Sequence, residues 1–385
     1  MSSKKEVVII GGGVCGCSIA YHLAKQGVPS QIIERDAIAS QASGKAWAVI
    51  SAPARILLFF EDAVVPRGSM RPCLSFFEEG FQQFPHLAVE LKEEGGVDIG
   101  YGELPCLSVT SQESEESYLK KRVSELASEG FEVGWLGGDE VKARISGITP
   151  GVRGGVFFPG QQVEPYKYVL SLFQAAEKMG ASIKQGEAVR FRYQGSRVTA
   201  VILATGAEVD GDVVVLAMGP WSGQGTSWLG KEIPLIVRRE QCLKVEVPQR
   251  LPLYRLLTNQ VAIIPKVNGT VILGCAGAHE EVVANFDDRP TEETKTSIMS
   301  AAVALLPKLE EAKLVEHRAG LESWQPNGGL PMLGRLPGWD NVYLATWLAT
   351  WGIQWSPAVG RVMADLIIKG RFKESVEPLS PARLL

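Results

Sequence analysis

The chain has 385 residues, 45% of them apolar and 21% charged, and a formal net charge of −4. That length allows a large buried core and two or three domains, and the slight negative charge leaves no electrostatic footprint for nucleic acid. No apolar run reaches the ~18 residues of a membrane span.

The opening, MSSKKEVVII, sets lysines before an apolar run, but glycines follow at once. A signal peptide there would destroy the motif described next, so we expect none, and a cytoplasmic protein. Residues 7–10, VVII, have the branched apolar character of a buried parallel strand. Gly11, Gly13 and Gly16 follow in a G-x-G-x-x-G pattern, with Val14 inside it, and the spacing predicts a helix over 18–26. Gly11 would permit a tight turn, Gly13 a close approach of backbone to a pyrophosphate, and Gly16 close packing of helix on strand. A second strand over 29–33 ends in Glu34, about 20 residues past the glycines, where a ribose hydroxyl acceptor belongs. Strand, glycines, helix, strand and acid together point to a dinucleotide site. The alternative is a glycine-rich turn in a structural α/β unit, and the motif does not separate FAD from NAD.

After Glu34, Arg35 and Asp36 comes a small-residue loop, 37–51, containing Ser43, Gly44, Lys45 and Ala46. Such a loop can run beside a cofactor, offering amides and hydroxyls to phosphate, or simply pack on a sheet. Apolar steps of three and four predict helix over 57–94, including Phe60, broken at Pro66, Pro72 and Pro85. Two short strands are expected within 97–109, a charged helix over 113–132, and a loop with a short helix over 135–148. A helix over 166–178 precedes strands at 181–189, 198–207 and 213–218, the last ending in Gly219-Pro220-Trp221. Strands over 236–247, 261–265 and 270–274 follow, with the Asn268-Gly269 turn marking a hairpin. A helix over 291–306 and a strand over 312–321 come next. A strand at 342–345 leads into TWLATWGIQWSPAVG, where Gly352 and Ile353 begin a second helix N-terminus able to face an electron-rich group. Trp347, Trp351 and Trp355 are spaced by four, but Gly352 and Pro357 argue for loop; these aromatics line a pocket or fill the core.

Six cysteines form no C-x-x-C pair, and His22, His86, His279 and His317 are scattered. We expect reduced, small apolar cysteines and no metal site.

Taken together, VVIIGGGVCG, ASQASGKA, QQVEPYKYVLSLFQAAEKMGA, VVVLAMGPWS, IIPKVNGTVILG, RAGLESWQPNGGLPMLG and WGIQWSPAVG span nearly the whole chain. This set resembles the FAD-dependent D-amino-acid oxidase-like (DAO) family, on its glycine and sarcosine oxidase branch. The resemblance implies an α/β fold with a Rossmann-like FAD-binding domain (1–50, 155–225, 325–385). A smaller mixed-sheet substrate domain (51–154, 226–324) would be interleaved with it. It implies non-covalent FAD, with Glu34 and its neighbour Arg35 at the ribose, and Ser43, Gly44 and Lys45, leading to Ala46, along the pyrophosphate. The Val189 backbone would meet the adenine, and Gly219 and Trp221 would close the cleft. The amides of Gly352, Ile353 and Gln354 would lie at the flavin pyrimidine edge. The chemistry implied is oxidation of the C–N bond of an amine or amino acid by hydride transfer to flavin N5, giving an imine that hydrolyses, with O2 or another electron acceptor. The oligomeric state is left open. Where many members carry a carboxylate-gripping arginine, this chain has Glu322, which would repel a carboxylate and attract a cation, or pair with Arg318 or Arg335. A lysine that activates oxygen in sarcosine oxidases has no counterpart near Ile272, and Lys266 belongs to the turn. A 2-hydroxy-acid dehydrogenase and a non-catalytic flavoprotein subunit are the rival readings.

Overall fold

The two faces of the strand Val7–Ile10 bury into different cores, as period-2 side chains must. Val7 and Ile9 join a core made largely of helices, while Val8 and Ile10 pack with Phe191, Val201 and Val209. The computed structural model describes residues 6–59, 70–275, 281–326, 329–371 and 374–384; Phe60, Pro66 and His279 lie outside the described residues. Among the described residues the first strand is central in a six-stranded sheet. The order is Met332–Arg335, Val342–Thr346, Val213–Leu216, Val7–Ile10, Ser30–Glu34, Ser182–Gln185. All neighbours are parallel except the first pair. The α/β frame expected from the sequence is therefore present.

The helix Val14–Lys25 packs on one face, between Pro165–Lys178 and Gly352–Lys369. Gly360 makes the second of these contacts close, since a Cβ there would lie 2.3 Å from Ser18 Oγ. Ser18 Oγ in turn donates to Ser356 O at 2.6 Å, satisfying a buried hydroxyl. The other face carries a three-stranded antiparallel sheet, Ala188–Gln194, Arg197–Leu203 and Glu208–Asp210.

A second large sheet is mixed and has nine strands among the described residues. Its spine is the long antiparallel pair Ile236–Glu246 and Lys313–Trp324, in register from Ile236↔Trp324 to Glu246↔Lys313. Val261–Pro265 and Val271–Cys275 form the expected hairpin, with Gly269 at φ +91° in its turn. Thr291 caps the helix Glu292–Leu305, its hydroxyl accepting from Thr294 N. The helix buries Ile298, Ala302 and Leu305 against Leu243, Ile263 and Leu273 of this sheet.

Three local expectations change. The first helix begins at Val14, directly after the glycines, rather than at 18. Residues Gly134–Gly137, read as loop, form a strand because they pair with Gly154–Phe157. The tryptophan segment is a 3-10 turn, Ala349–Trp351, running straight into the helix Gly352–Lys369, so Trp355 is helical.

Candidate active site

The glycines after the first strand have different neighbours. Gly11 sits at φ +111°, and a Cβ on it would lie 2.4 Å from Ala217 O. A Cβ on Gly16 would lie 2.0 Å from Gly11 O, so the helix can start this close to the strand only with glycine there. A Cβ on Gly13 would meet nothing but Ser43 Oγ, at 3.1 Å, and would project into an open cleft. The cleft is walled by Gly11, Gly13, Val14, Glu34, Arg35 and Ser43 at one end. At the other end it is walled by Gly219, Trp221, Ala349, Gly352 and Ile353. It therefore lies along the carboxyl ends of the parallel strands, where ligands of doubly wound sheets bind.

Glu34 closes the strand Ser30–Glu34, and its carboxylate is held by backbone: Gly12 N donates to Oε2 at 2.7 Å and Asp36 N to Oε1 at 2.8 Å. Beside it the Arg35 guanidinium covers the Trp221 ring at 4.2 Å, and Trp221 stacks on Phe286 at 5.2 Å. Ser43 Oγ accepts the amide of Val14, the first residue of the helix, at 3.0 Å. Its two followers do not reach this cleft. Gly44 is a contact glycine, where a Cβ would lie 2.1 Å from Ala39 O. Lys45 turns away to an ion pair with Asp288 at 2.9 Å. Ala46 does line the cleft, as do Gly186, Glu187 and Ala188. Val189 falls just beyond them, 37% exposed, where the ladder slips between Ala188↔Leu203 and Arg190↔Ile202.

At the far end, Trp347 and Ala349 hold left-handed φ values of +60° and +47°, a strained setting for side-chain-bearing residues next to a site. Gly352 opens the long helix, and a Cβ on it would meet only Val14 Cγ1, at 3.7 Å. Its first amides have no intrahelical acceptor and carry the positive end of the dipole. Gln354 does not line the cleft; its side chain bonds Ser51 N and Ser51 O. Trp347 is core, with Arg383 over its ring at 5.5 Å, and Trp355 is core against Phe77 at 4.8 Å. Only Trp351 of the three reaches a cavity.

That cavity is a second chamber of about 440 Å³, on the mixed-sheet side. It shares Ala42, Ala46, Glu322, Thr350 and Ile353 with the first cleft. Glu322 stands on the long strand at the junction, its Oε2 accepting the Trp324 indole N–H at 3.1 Å. Arg318, an expected partner for it, is engaged with Cys242 Sγ, Ala46 O and Glu316; Arg335 is exposed on an outer strand. The chamber also holds Arg55, Arg255 and Trp47, which the sequence reading passed over. The signal available was an arginine inside each of two apolar runs, PARILLF and RLL.

The pattern of the FAD dependent oxidoreductase (DAO) family matches residues 6–366. The chain belongs to that family. A glycine oxidase from Pseudomonas aeruginosa is 28% identical over 94% of this chain and 95% of the relative. The crystal structure of glycine oxidase from Bacillus cereus superposes with a TM-score of 0.86 at 28% identity, covering 97% of this chain and 98% of that one. That of glycine oxidase from Geobacillus kaustophilus gives 0.86 at 25% identity, covering 98% and 99%.

FAD is thus the cofactor of this DAO-family chain, and the cleft fits it. The Cβ-free surface at Gly13 leaves room for backbone to approach a pyrophosphate, Glu34 presents a carboxylate oriented by two amides, and Gly352 and Ile353 begin a helix pointing into the other end. Of the cysteines, Cys15 lines the cleft, where burial pushes its thiol up to about 12 and keeps it neutral. All six are unpaired. No group of three metal-ligating side chains is found among the described residues. No described helix is long and apolar enough to cross a membrane. Lys266 is buried rather than held out on its turn: Nζ donates to Trp47 O at 3.0 Å and Val163 O at 2.9 Å, and burial draws its ammonium down to about 8.

Proposed function

We propose that the chain oxidises the C–N bond of a small-molecule amine or amino acid. The carrying observation is the junction: the cofactor cleft opens onto a larger, aromatic- and arginine-walled chamber at Glu322 and Ile353. FAD, when bound, supplies the acceptor for the hydride that leaves the substrate carbon. The nitrogen lone pair then completes a C=N bond, a proton passes to solvent, and water hydrolyses the imine. For this the substrate nitrogen must be unprotonated, and no side-chain base at the carbon is required. Glu322 draws the amino end to the junction by charge, and the Trp324 indole fixes the carboxylate that does so. The helix beginning at Gly352 stabilises negative charge developing beside it. The chain's part is otherwise positioning.

We further read the segments carrying the six-stranded sheet as a non-covalent FAD-binding domain and those carrying the mixed sheet as the substrate domain. Unpaired cysteines suit a cytoplasmic setting, with O2 or another oxidant as final acceptor. The 2-hydroxy-acid alternative is disfavoured because none of His22, His86 and His317 lines either cavity. Anaerobic mixing of the yellow protein with a panel of amines and of 2-hydroxy acids decides the matter. Bleaching by an amine and by no hydroxy acid is expected. Bleaching by hydroxy acids alone overturns the reading, and bleaching by neither points to a non-catalytic flavoprotein.

A further inference from the structure

Arg55 and Arg255 are 3% and 5% exposed, yet both border the second chamber. They reach it from opposite directions. Arg55 lies in the helix Pro53–Phe59, Arg255 in the strand Arg255–Leu257. Both donate from Nη1 to one oxygen, Ser51 Oγ, each at 3.3 Å. Each guanidinium also covers an indole of the chamber wall, Arg55 over Trp351 and Arg255 over Trp47, both at 5.8 Å. The ring faces that would suit a cationic substrate are thus already covered by the protein's own cations.

Arg255 makes that one side-chain hydrogen bond and that one ring contact, and its buried Nε has no partner. Among the described residues no carboxylate lies within ion-pair distance of it. Glu240, the acid that acts on it, is further off, and Glu115 across the chamber is bonded to Thr110 Oγ1. Burial and the neighbouring Arg255 together draw the Arg55 guanidinium down to about 9. Two like charges sharing a single neutral acceptor, away from water, are costly unless an anion joins them. Guanidinium pairs grip a carboxylate through parallel N–H bonds.

We propose that Arg55 and Arg255 form an anion subsite that binds a carboxylate of the substrate, at the end of the chamber remote from the cofactor cleft. Neither arginine borders the cleft, whereas Glu322 borders both spaces. Together they select an amine that carries its carboxylate several bonds from the reacting C–N bond: ammonium end toward Glu322, acid end toward the arginines. A chamber of about 440 Å³ accommodates such a chain and is large for glycine itself. This assignment of substrate class rests on the C–N oxidation proposed above.

The test needs no turnover. Hexanoate and its neutral isostere hexanamide are titrated calorimetrically into the FAD-loaded protein. Hexanoate is expected to bind at least about tenfold more tightly, and Arg255→Met to remove that preference while leaving hexanamide binding as it was. Equal binding of the two probes by the unaltered protein overturns the subsite, with or without a folded variant. Unchanged hexanoate affinity in a folded Arg255→Met or Arg55→Met protein does so too. Neither probe has an oxidisable amine, so a positive result stands even if no amine bleaches the flavin. Should amines bleach it, 6-aminohexanoate is expected to outperform hexylamine through KM, and Arg255→Met to erase that advantage with kcat little changed.

Discussion

Gln354 and Ser51 exchange two hydrogen bonds: Ser51 N donates to Gln354 Oε1 at 2.8 Å, and Gln354 Nε2 to Ser51 O at 3.0 Å. One side chain thus replaces a strand partner for a buried residue whose own hydroxyl holds both arginines. Gln354→Leu leaves those backbone groups unpaired, and should cost about 2–4 kcal/mol of stability. The loss is read in denaturant unfolding. Hexanoate affinity should fall as well, since Ser51 loses its anchor; an unfolding midpoint equal to wild type would show the pairing to be dispensable.

Gly13 and Gly16 should respond differently to the same kind of change. Gly13→Val places methyls in the cleft and little against protein, so we expect a folded, colourless protein. Gly16→Val drives a Cβ to within 2.0 Å of Gly11 O and should reduce soluble yield and melting temperature instead. Absorbance near the flavin maximum together with circular dichroism separates the two outcomes. A yellow Gly13→Val protein at full occupancy would remove that glycine from the cofactor wall.

Glu322→Arg reverses the charge at the junction of the two cavities. Preference should move toward free α-amino acids, whose carboxylate lies next to the reacting carbon, and away from amines with a remote acid group. A shift of about tenfold or more in relative kcat/KM is expected, measured across paired substrates. Unchanged ratios would mean that the carboxylate at 322 does not meet the substrate.

His22 gives the acid limb of stability a specific origin. Its Nε2 is buried with no partner, and burial, then Lys25 and Arg361, lower it to about 4 against an ordinary 6.5. Between those values the unfolded chain binds a proton that the folded one refuses, so stability falls as pH drops from 6.5 toward 4. His22→Leu should flatten this stretch of the pH–stability curve. A curve of the same slope in the variant assigns the loss to other groups.

The parts of the site that could be read in the sequence are those whose partners are close along the chain. Gly11, Gly13, Gly16 and Glu34 sit within one strand–helix–strand unit, and their spacing carries their roles. The helix start was placed late because Val14 and Cys15 look like a continuation of the turn, while Ser43, 29 residues away, supplies the acceptor for the Val14 amide. Trp355 read as loop on account of Pro357. The helix tolerates that proline because Ile353 O, denied a backbone donor, accepts from Ser356 Oγ at 2.8 Å. Arg55 and Arg255 carry no mutual signal at all: they are 200 residues apart and meet only through Ser51.

The walls of the cofactor cleft are drawn from residues 10–46 and again from residues 345–353. During synthesis the phosphate-side glycines emerge first and wait while some three hundred further residues are made. The groove has no second bank until the last helix docks against the first. Flavin is therefore taken up after the polypeptide leaves the ribosome, and N-terminal fragments ending before residue 345 should never turn yellow.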